Sequence, residues 1–410
     1  MVATALSLRS ESIDKITKGD LPVIIFGASV VGELLFHIFT EQGVKVDYFC
    51  ENQHHKIQSL FCGLEVVHTS KLKERFSDAH FIVSAADIND IVVQLNDLGF
   101  TNTHIGGLFL EGIDILKYPN RVTRDMVKFA ASACTSCHDG YMSPDKISVR
   151  SIDIMITEKC SMKCVDCANL MQYFENPVNY EVEDMIAAID NLCMYIDEVH
   201  EFRLIGGEPF MNKNFHLVLD RLIREPKVKR VAIYTNGTIL PKEHQIESLR
   251  NPKVILMVTD YDELSRNLSR LEDLSREQGI AFHSKKAQGW TDCSKIHKHN
   301  RTIEEQKEVF KTCCAKSLNT LSAGELHICP FSANVARLKA VPDFKDDYIN
   351  VIDEPKVVGD YDAMKRKMKE FLLEKEYLEV CDYCSGRRMD DPQIKPAIQT
   401  KKRIEYTVVA

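Results

Sequence analysis

The sequence predicts an α/β chain built from two successive blocks of parallel sheet, followed by a small cysteine-rich module. Three observations carry this. Short β-branched runs alternate with helical apolar spacing over residues 20 to 115, a second and more regular alternation runs from Ile147 to about residue 290, and paired cysteines cluster beyond residue 300. At 410 residues the chain exceeds the size at which one hydrophobic core stops growing, so two or three domains are expected.

The first block opens with PVIIFG, a strand ending in glycine, and continues into VVGELLFHIFTEQG, whose apolar positions recur at helical spacing. VKVDYFCEN and HFIVSAA read as further strands, the latter after an LKERF helix, and IVVQLNDLGF closes the unit, which together give a Rossmann-like parallel sheet over residues 1–115. Its turn reads Gly27-Ala-Ser-Val-Val-Gly32. Ser29 stands where a dinucleotide fingerprint needs its middle glycine, so a dinucleotide is not the expected ligand. Residues 116–146 carry Pro119, Pro144 and the stretch TRDMVKFAASA and read as a linker. Within it, Cys134-Thr-Ser-Cys137-His138 has the spacing of a c-type haem attachment site. Without an export signal, a metal-binding or purely structural pair is the better reading.

In the second block the strands SIDIMIT, EFRLIG, KRVAIYT, KVILMVTD and IAFHS alternate with helices, as in a partial (βα)6 TIM-like barrel over residues 147–300. Ligands then belong at the carboxyl ends of the strands. Residues 301–410 read as an appended module with paired cysteines and a basic tail.

Net charge of −8 and a pI near 6.0 give no electrostatic reason for a nucleic-acid partner. The opening MVATALSLRSESIDK has early charges and no sustained apolar run, so neither a signal peptide nor a membrane span is expected, and the cytoplasm is the expected location. In a reducing compartment the fourteen cysteines are ligands more readily than disulfides. Cys50, Cys62 and Cys193 stand alone in apolar surroundings and read as small buried hydrophobes.

Cys160, Cys164 and Cys167 lie just after the first barrel strand. Four thiolates would close a zinc site or saturate an iron-sulfur cube, whereas three leave one iron open to a further ligand. This C-x-x-x-C-x-x-C loop, the Gly206-Gly207-Glu208-Pro209 turn after the second strand and the Tyr234-Thr235-Asn236-Gly237 turn after the third resemble the radical S-adenosylmethionine superfamily over roughly residues 147 to 290. The resemblance implies a [4Fe-4S] cluster on the three cysteines and S-adenosylmethionine on the open iron, its reductive cleavage to a 5′-deoxyadenosyl radical, and hydrogen abstraction from a substrate. It implies that Gly206, Gly207, Glu208 and Pro209 hold the methionyl amino group and that Thr235 and Asn236 sit near the ribose. Asp166 departs from the family's usual aromatic residue before the third cysteine, so the adenine must pack differently here.

Beyond the barrel, Cys313 or Cys314, Gly324, Cys329, Cys381 and Cys384 follow an order that resembles the Twitch module, the shortened SPASM extension. That resemblance implies an auxiliary [4Fe-4S] cluster on Cys313, Cys329, Cys381 and Cys384, with Cys314 as the alternative to Cys313. A structural zinc on the same four cysteines is the competing reading. No cysteine follows Cys384, so a second auxiliary cluster has no ligands. An auxiliary cluster suits a net oxidation, because it can accept the electron that a ketyl radical sheds.

The front block, with GASVVGELLFHIFTEQGVKVDYFCEN and FCGLEVVHTSKL, resembles the nucleotide-sugar-binding domain of bacterial sugar acyltransferases and some sugar methyltransferases. A docking domain is the competing reading. Joined to the barrel, it points to a sugar, cyclitol or nucleotide-sugar substrate undergoing dehydrogenation or epimerisation, with an external one-electron donor such as flavodoxin or ferredoxin. Maturation of a ribosomal peptide is the alternative, although such enzymes usually carry a winged-helix front domain; a non-enzymatic iron-sulfur or zinc scaffold is the third reading. His283 and the Gly289-Trp290-Thr291-Asp292 segment contain possible bases, but no catalytic base is assigned, and Trp290 reads as packing.

Overall fold

A computed structural model describes residues 2–53, 57, 60–388 and 391–407. Residues 1 and 408–410, which the expected domain boundaries include, lie outside the described residues. The chain divides into two compact units, Met1–Asp145 and Lys146–Ala410.

In the first unit β1 (Val23–Phe26), β2 (Tyr48–Glu51), β3 (Val66–His68), β4 (His80–Val83) and β5 (Thr103–Ile105) form one parallel sheet in the order β3-β2-β1-β4-β5. All four residues of β1 are buried, as continuous apolar central strands require when both faces are covered. One face packs on Leu34, Leu35, Ile38 and Phe39, and the other on Leu72, Ile88, Ile91 and Leu95. Ser29 caps the helix Val30–Glu41, its hydroxyl accepting from Gly32 N at 3.3 Å. Any side chain at Gly32 would overlap the Gly27 carbonyl. Both glycines therefore serve strand-to-helix packing. Cys50 is fully buried, whereas Cys62 is half-buried with a positive φ of 50°.

The segment 116–146 is not a free linker. Thr123 caps the helix Arg124–Tyr141, and Val127, Ala131 and Cys134 join the first unit's core. The amphipathic spacing that marked a helix there also supplied a face to bury. His138 settles the Cys-x-x-Cys-His pattern. Its Nδ1 accepts the Gly107 N–H at 2.9 Å, so its proton sits on Nε2 and is donated to the Ala85 carbonyl at 2.8 Å. Both ring nitrogens are spent on backbone, which leaves none for a metal, and Cys134 packs against the ring at 3.7 to 3.8 Å.

Burial lowers the His138 pKa to about 4. The unfolded imidazole takes up its proton near 6.5, so between pH 6.5 and 4 the unfolded chain binds a proton the folded one refuses. Stability from this residue is thus complete above pH 6.5 and falls by about 3 kcal/mol as pH drops to 4. Denaturant titrations at pH 7 and pH 4.5 are expected to show the drop, and His138→Asn should flatten it; an unchanged pH dependence in the variant would refute the assignment.

In the second unit β6 (Ser148–Met155), β7 (Glu198–Ile205), β8 (Val228–Thr235), β9 (Val254–Asp260) and β10 (Phe282–Lys286) pair in parallel succession, joined by helices. The helix Phe215–Arg224 shows why these helices dock. Phe215, Leu219 and Leu222 share one fully buried face, each contributing about 1.5–3 kcal/mol relative to exposure.

A short ribbon strand, β11 (Trp290–Thr291), follows. The sixth parallel strand does not continue from β10. It is β12 (Asn319–Ser322), which pairs with the opposite edge of β6 and continues antiparallel into β13 (Glu325–His327) and β14 (Tyr348–Asn350). The result is an open eight-stranded sheet in the order β10-β9-β8-β7-β6-β12-β13-β14. Leu326, Val335, Ile349 and Met364 share one core with Ile152, Phe202 and Val231, so residues 147–300 and 301–410 fold as one body. β11 pairs antiparallel with β15 (Gln393–Ile394) from the tail. Among the described residues no helix is long and apolar enough to cross a membrane.

Candidate functional site

A cavity of about 310 Å³ opens at the carboxyl ends of β6 to β9, where a parallel βα sheet places its loops. Cys160, Cys164 and Cys167 line it from the β6 loop. The base of that loop is fixed: Lys159 N donates to Thr157 Oγ1 at 3.0 Å, and Glu158 is held by Val178 N at 2.9 Å and Arg337 Nε at 2.7 Å.

N–H groups converge on the sulfurs. Cys160 Sγ receives Met162 N at 3.4 Å and the Asn236 amide at 3.7 Å, Cys167 receives backbone donors from Asn169, Leu170 and Met171, and Cys164 Sγ receives the Gln399 amide at 3.2 Å. Such donors stabilise thiolate and cluster charge.

The second set assembles from three segments far apart in sequence. Cys329 lies within electrostatic reach of Cys313, Cys381 and Cys384, and Cys384 within reach of Cys313 and Cys381. Cys314 instead neighbours Cys313, Arg387 and Asp391. Cys313 thus shares electrostatic contact with Cys329, Cys381 and Cys384. Backbone N–H groups again point at sulfur: Ala315 to Cys313 at 3.3 Å, Ser332 to Cys329 at 3.4 Å and Gly386 to Cys384 at 3.3 Å.

Burial raises all seven thiols above their ordinary range, to about 11 for Cys164 and about 12 for Cys381 and Cys384. Loading a metal must therefore displace protons. No group of three or more His, Cys, Asp or Glu side chains among the described residues converges tightly enough for a single metal ion.

Of the residues read as cofactor contacts, Gly206, Gly207, Thr235 and Asn236 line the cavity. Glu208 and Pro209 do not. Glu208 is fully buried and accepts from Thr235 Oγ1 at 2.8 Å, Asn236 N at 2.9 Å and Phe210 N at 3.2 Å. It ties the glycine turn to the Thr235-Asn236 turn, and the intervening proline turns the chain away. The paired glycines also have a nearer cause than a ligand. Gly207 N and Glu208 N donate to the carbonyls of Thr157 and Lys159 at 3.0 and 2.8 Å, and a Cβ at Gly206 or Gly207 would overlap those same carbonyls.

The reading of the sequence passed over several lining residues. Asp153 and Arg203, paired across β6 and β7 in register, form a buried ion pair on the cavity wall. Glu201 stands 3.8 Å from the same guanidinium, and burial lifts its carboxyl to about 7. The signal was present, since a charge inside an apolar strand is seldom buried unless paired. Tyr261, Cys293 and Arg387 also line the cavity. Trp290 lines it too, edge-on to Tyr261 at 5.8 Å, rather than serving as core packing. Asp166 is held by Lys295 at 3.0 Å and by Ser294 at 3.4 Å, tying the cysteine loop to the segment after β11. His283 lies on β10 and is not among the lining residues.

Residues 154–323 match the family model of the Radical SAM superfamily. The chain carries a radical SAM domain. That domain implies a [4Fe-4S] cluster and S-adenosylmethionine as cofactors. Among curated relatives, a GTP 3′,8-cyclase of Synechocystis sp. is 26% identical over 121 residues, covering 28% of this chain and 35% of its own length. A probable GTP 3′,8-cyclase of Methanocella arvoryzae is 27% identical over 119 residues, covering 29% and 36%. The chain thus spans about a third of the length of those relatives. Among solved structures, BtrN in complex with AdoMet and 2-DOIA aligns with a TM-score of 0.36 at 14% identity, over 62% of this chain and 97% of that one. Streptococcus suis SuiB bound to S-adenosylmethionine aligns at 0.31 and 15% identity, over 43% and 42%.

Proposed function

We propose that this radical SAM enzyme abstracts hydrogen from a sugar, cyclitol or nucleotide-sugar and completes a dehydrogenation or epimerisation. The observation that carries the reading is the single cavity lined at once by three thiols, the Gly206-Gly207 backbone, Thr235-Asn236 and the polar Asp153-Arg203 wall. Cys160, Cys164 and Cys167 hold the site cluster, and Cys313, Cys329, Cys381 and Cys384 hold an auxiliary cluster in a Twitch-type module. When bound, the site cluster supplies the electron that cleaves S-adenosylmethionine to a 5′-deoxyadenosyl radical.

The chain's own residues orient and enclose. Gly206 and Gly207 present backbone to the methionyl group, Asn236 and Thr235 border the ribose, Tyr261 and Trp290 form an aromatic wall, and Asp153 with Arg203 offers hydrogen-bonding partners to hydroxyl groups. Cys293, on the cavity wall, lies within electrostatic reach of both Cys167 and Cys313. This proximity suits an auxiliary cluster that accepts the second electron of an oxidation. The substrate's first electron leaves with the abstracted hydrogen atom, and flavodoxin or ferredoxin would supply the separate electron spent in cleaving S-adenosylmethionine.

The front unit is a parallel α/β sheet, not a winged helix, which favours the sugar reading over peptide maturation. Anaerobically reconstituted protein is expected to carry about eight irons for two cubes. It should form 5′-deoxyadenosine with one member of a sugar, cyclitol and nucleotide-sugar panel, with deuterium moving from a labelled ring carbon into that product. Transfer from a peptide instead, or zinc alone without cleavage, would overturn the proposal.

A further inference from the structure

The tail crosses the cysteine loop as a short antiparallel strap. Val165 N donates to the Ile398 carbonyl at 2.8 Å and Thr400 N to the Lys163 carbonyl at 2.7 Å, bracketing a bridge between Cys164 and Gln399. The Gln399 side chain makes three contacts: its Oε1 accepts Lys163 N at 2.8 Å, and its Nε2 donates to Cys164 Sγ at 3.2 Å and to the Ala397 carbonyl at 2.9 Å. The strap is anchored at both ends, by the β11–β15 ribbon before it and by Ile404 N on the Gln172 carbonyl at 3.1 Å after it.

The three site thiols differ in who supplies their donors. Cys160 and Cys167 receive backbone N–H groups from their own loop. Among the described residues no backbone N–H reaches Cys164, and Gln399 provides the donor from 235 positions away. We infer that Gln399 is a positioning residue of the site cluster: it completes the N–H shell around the middle ligand, holds the loop in register through Lys163, and raises the cluster's reduction potential. This rests on the reading that Cys164 binds that cluster. An N–H donor to a ligand sulfur stabilises the reduced, more negative cluster more than the oxidised one, so its loss makes reduction harder.

The test is potentiometry of the reconstituted holoprotein, followed by EPR of the reduced cluster, in wild type, Gln399→Leu and Gln399→Glu. The glutamate variant retains an acceptor for Lys163 N and so keeps the strap's backbone register while removing the donor. Both variants are expected to shift the reduction equilibrium about tenfold toward the oxidised form, which is about 59 mV more negative for one electron. An exchangeable-proton coupling seen by ENDOR in wild type and erased by D₂O should be missing from both. Wild type without a cubane would overturn the cluster assignment itself. A cubane whose potential and exchangeable coupling are unchanged in both variants would overturn only the role given to Gln399.

Discussion

Alanine at Cys164 is expected to abolish S-adenosylmethionine cleavage while leaving the second cysteine set loaded. Cys164 lines the cavity with the other two site thiols, and a cube held by two thiolates has lost one of its three protein ligands. Losing an outer-shell partner alone typically costs 10–100-fold in metal affinity, so losing a ligand should exceed that range and take 5′-deoxyadenosine formation below detection. Iron should fall from about eight per chain to about four, because the second set, with Cys329 and Cys384 each within electrostatic reach of Cys313 and Cys381, comes from segments other than the β6 loop. The retained four irons act as the internal control for folding. Wild-type turnover in the variant, or loss of all iron from a folded chain, would refute the division into two sets.

The second large effect is on stability. Arg203 lies between Asp153 and Glu201, with both carboxylates buried and the guanidinium mostly so. Burial raises both acids while the guanidinium pulls them down again. Arg203→Met leaves an uncompensated buried carboxylate and is expected to cost about 3–5 kcal/mol, a melting-point loss on the order of 10 °C for a body of this size. Adding Asp153→Asn to the same chain should restore much of the loss, since apolar or neutral replacement of both partners can be close to neutral. Calorimetry of the single and double variants checks this. Equal stability of Arg203→Met and wild type would refute the claim that Arg203 compensates a buried carboxylate charge.

Much of the second unit was legible because parallel strands buried on both faces leave continuous apolar runs, and the helices between them leave a 3.6-residue spacing. All five strand segments read from SIDIMIT to IAFHS are strands in the structure. The site cysteines were legible for a different reason, since Cys160, Cys164 and Cys167 sit within one loop. The segment 116–146 was misjudged because its prolines were visible and its packing partner was not; the face formed by Val127, Ala131 and Cys134 has meaning only against the core it joins. Gln399 left no sign at all, because nothing local distinguishes it from any polar tail residue.

The order of residues along the chain was enough to establish the α/β class, the three-thiol loop and the two turns that face it, since each is carried by spacing within a few residues. Why Glu208 turns inward, that Asp153 meets Arg203 and that the tail donates to Cys164 were decided by tertiary structure alone. The physical reason is range: hydrogen bonds and charge pairs act over a few ångströms, and only the fold determines which distant residues come that close.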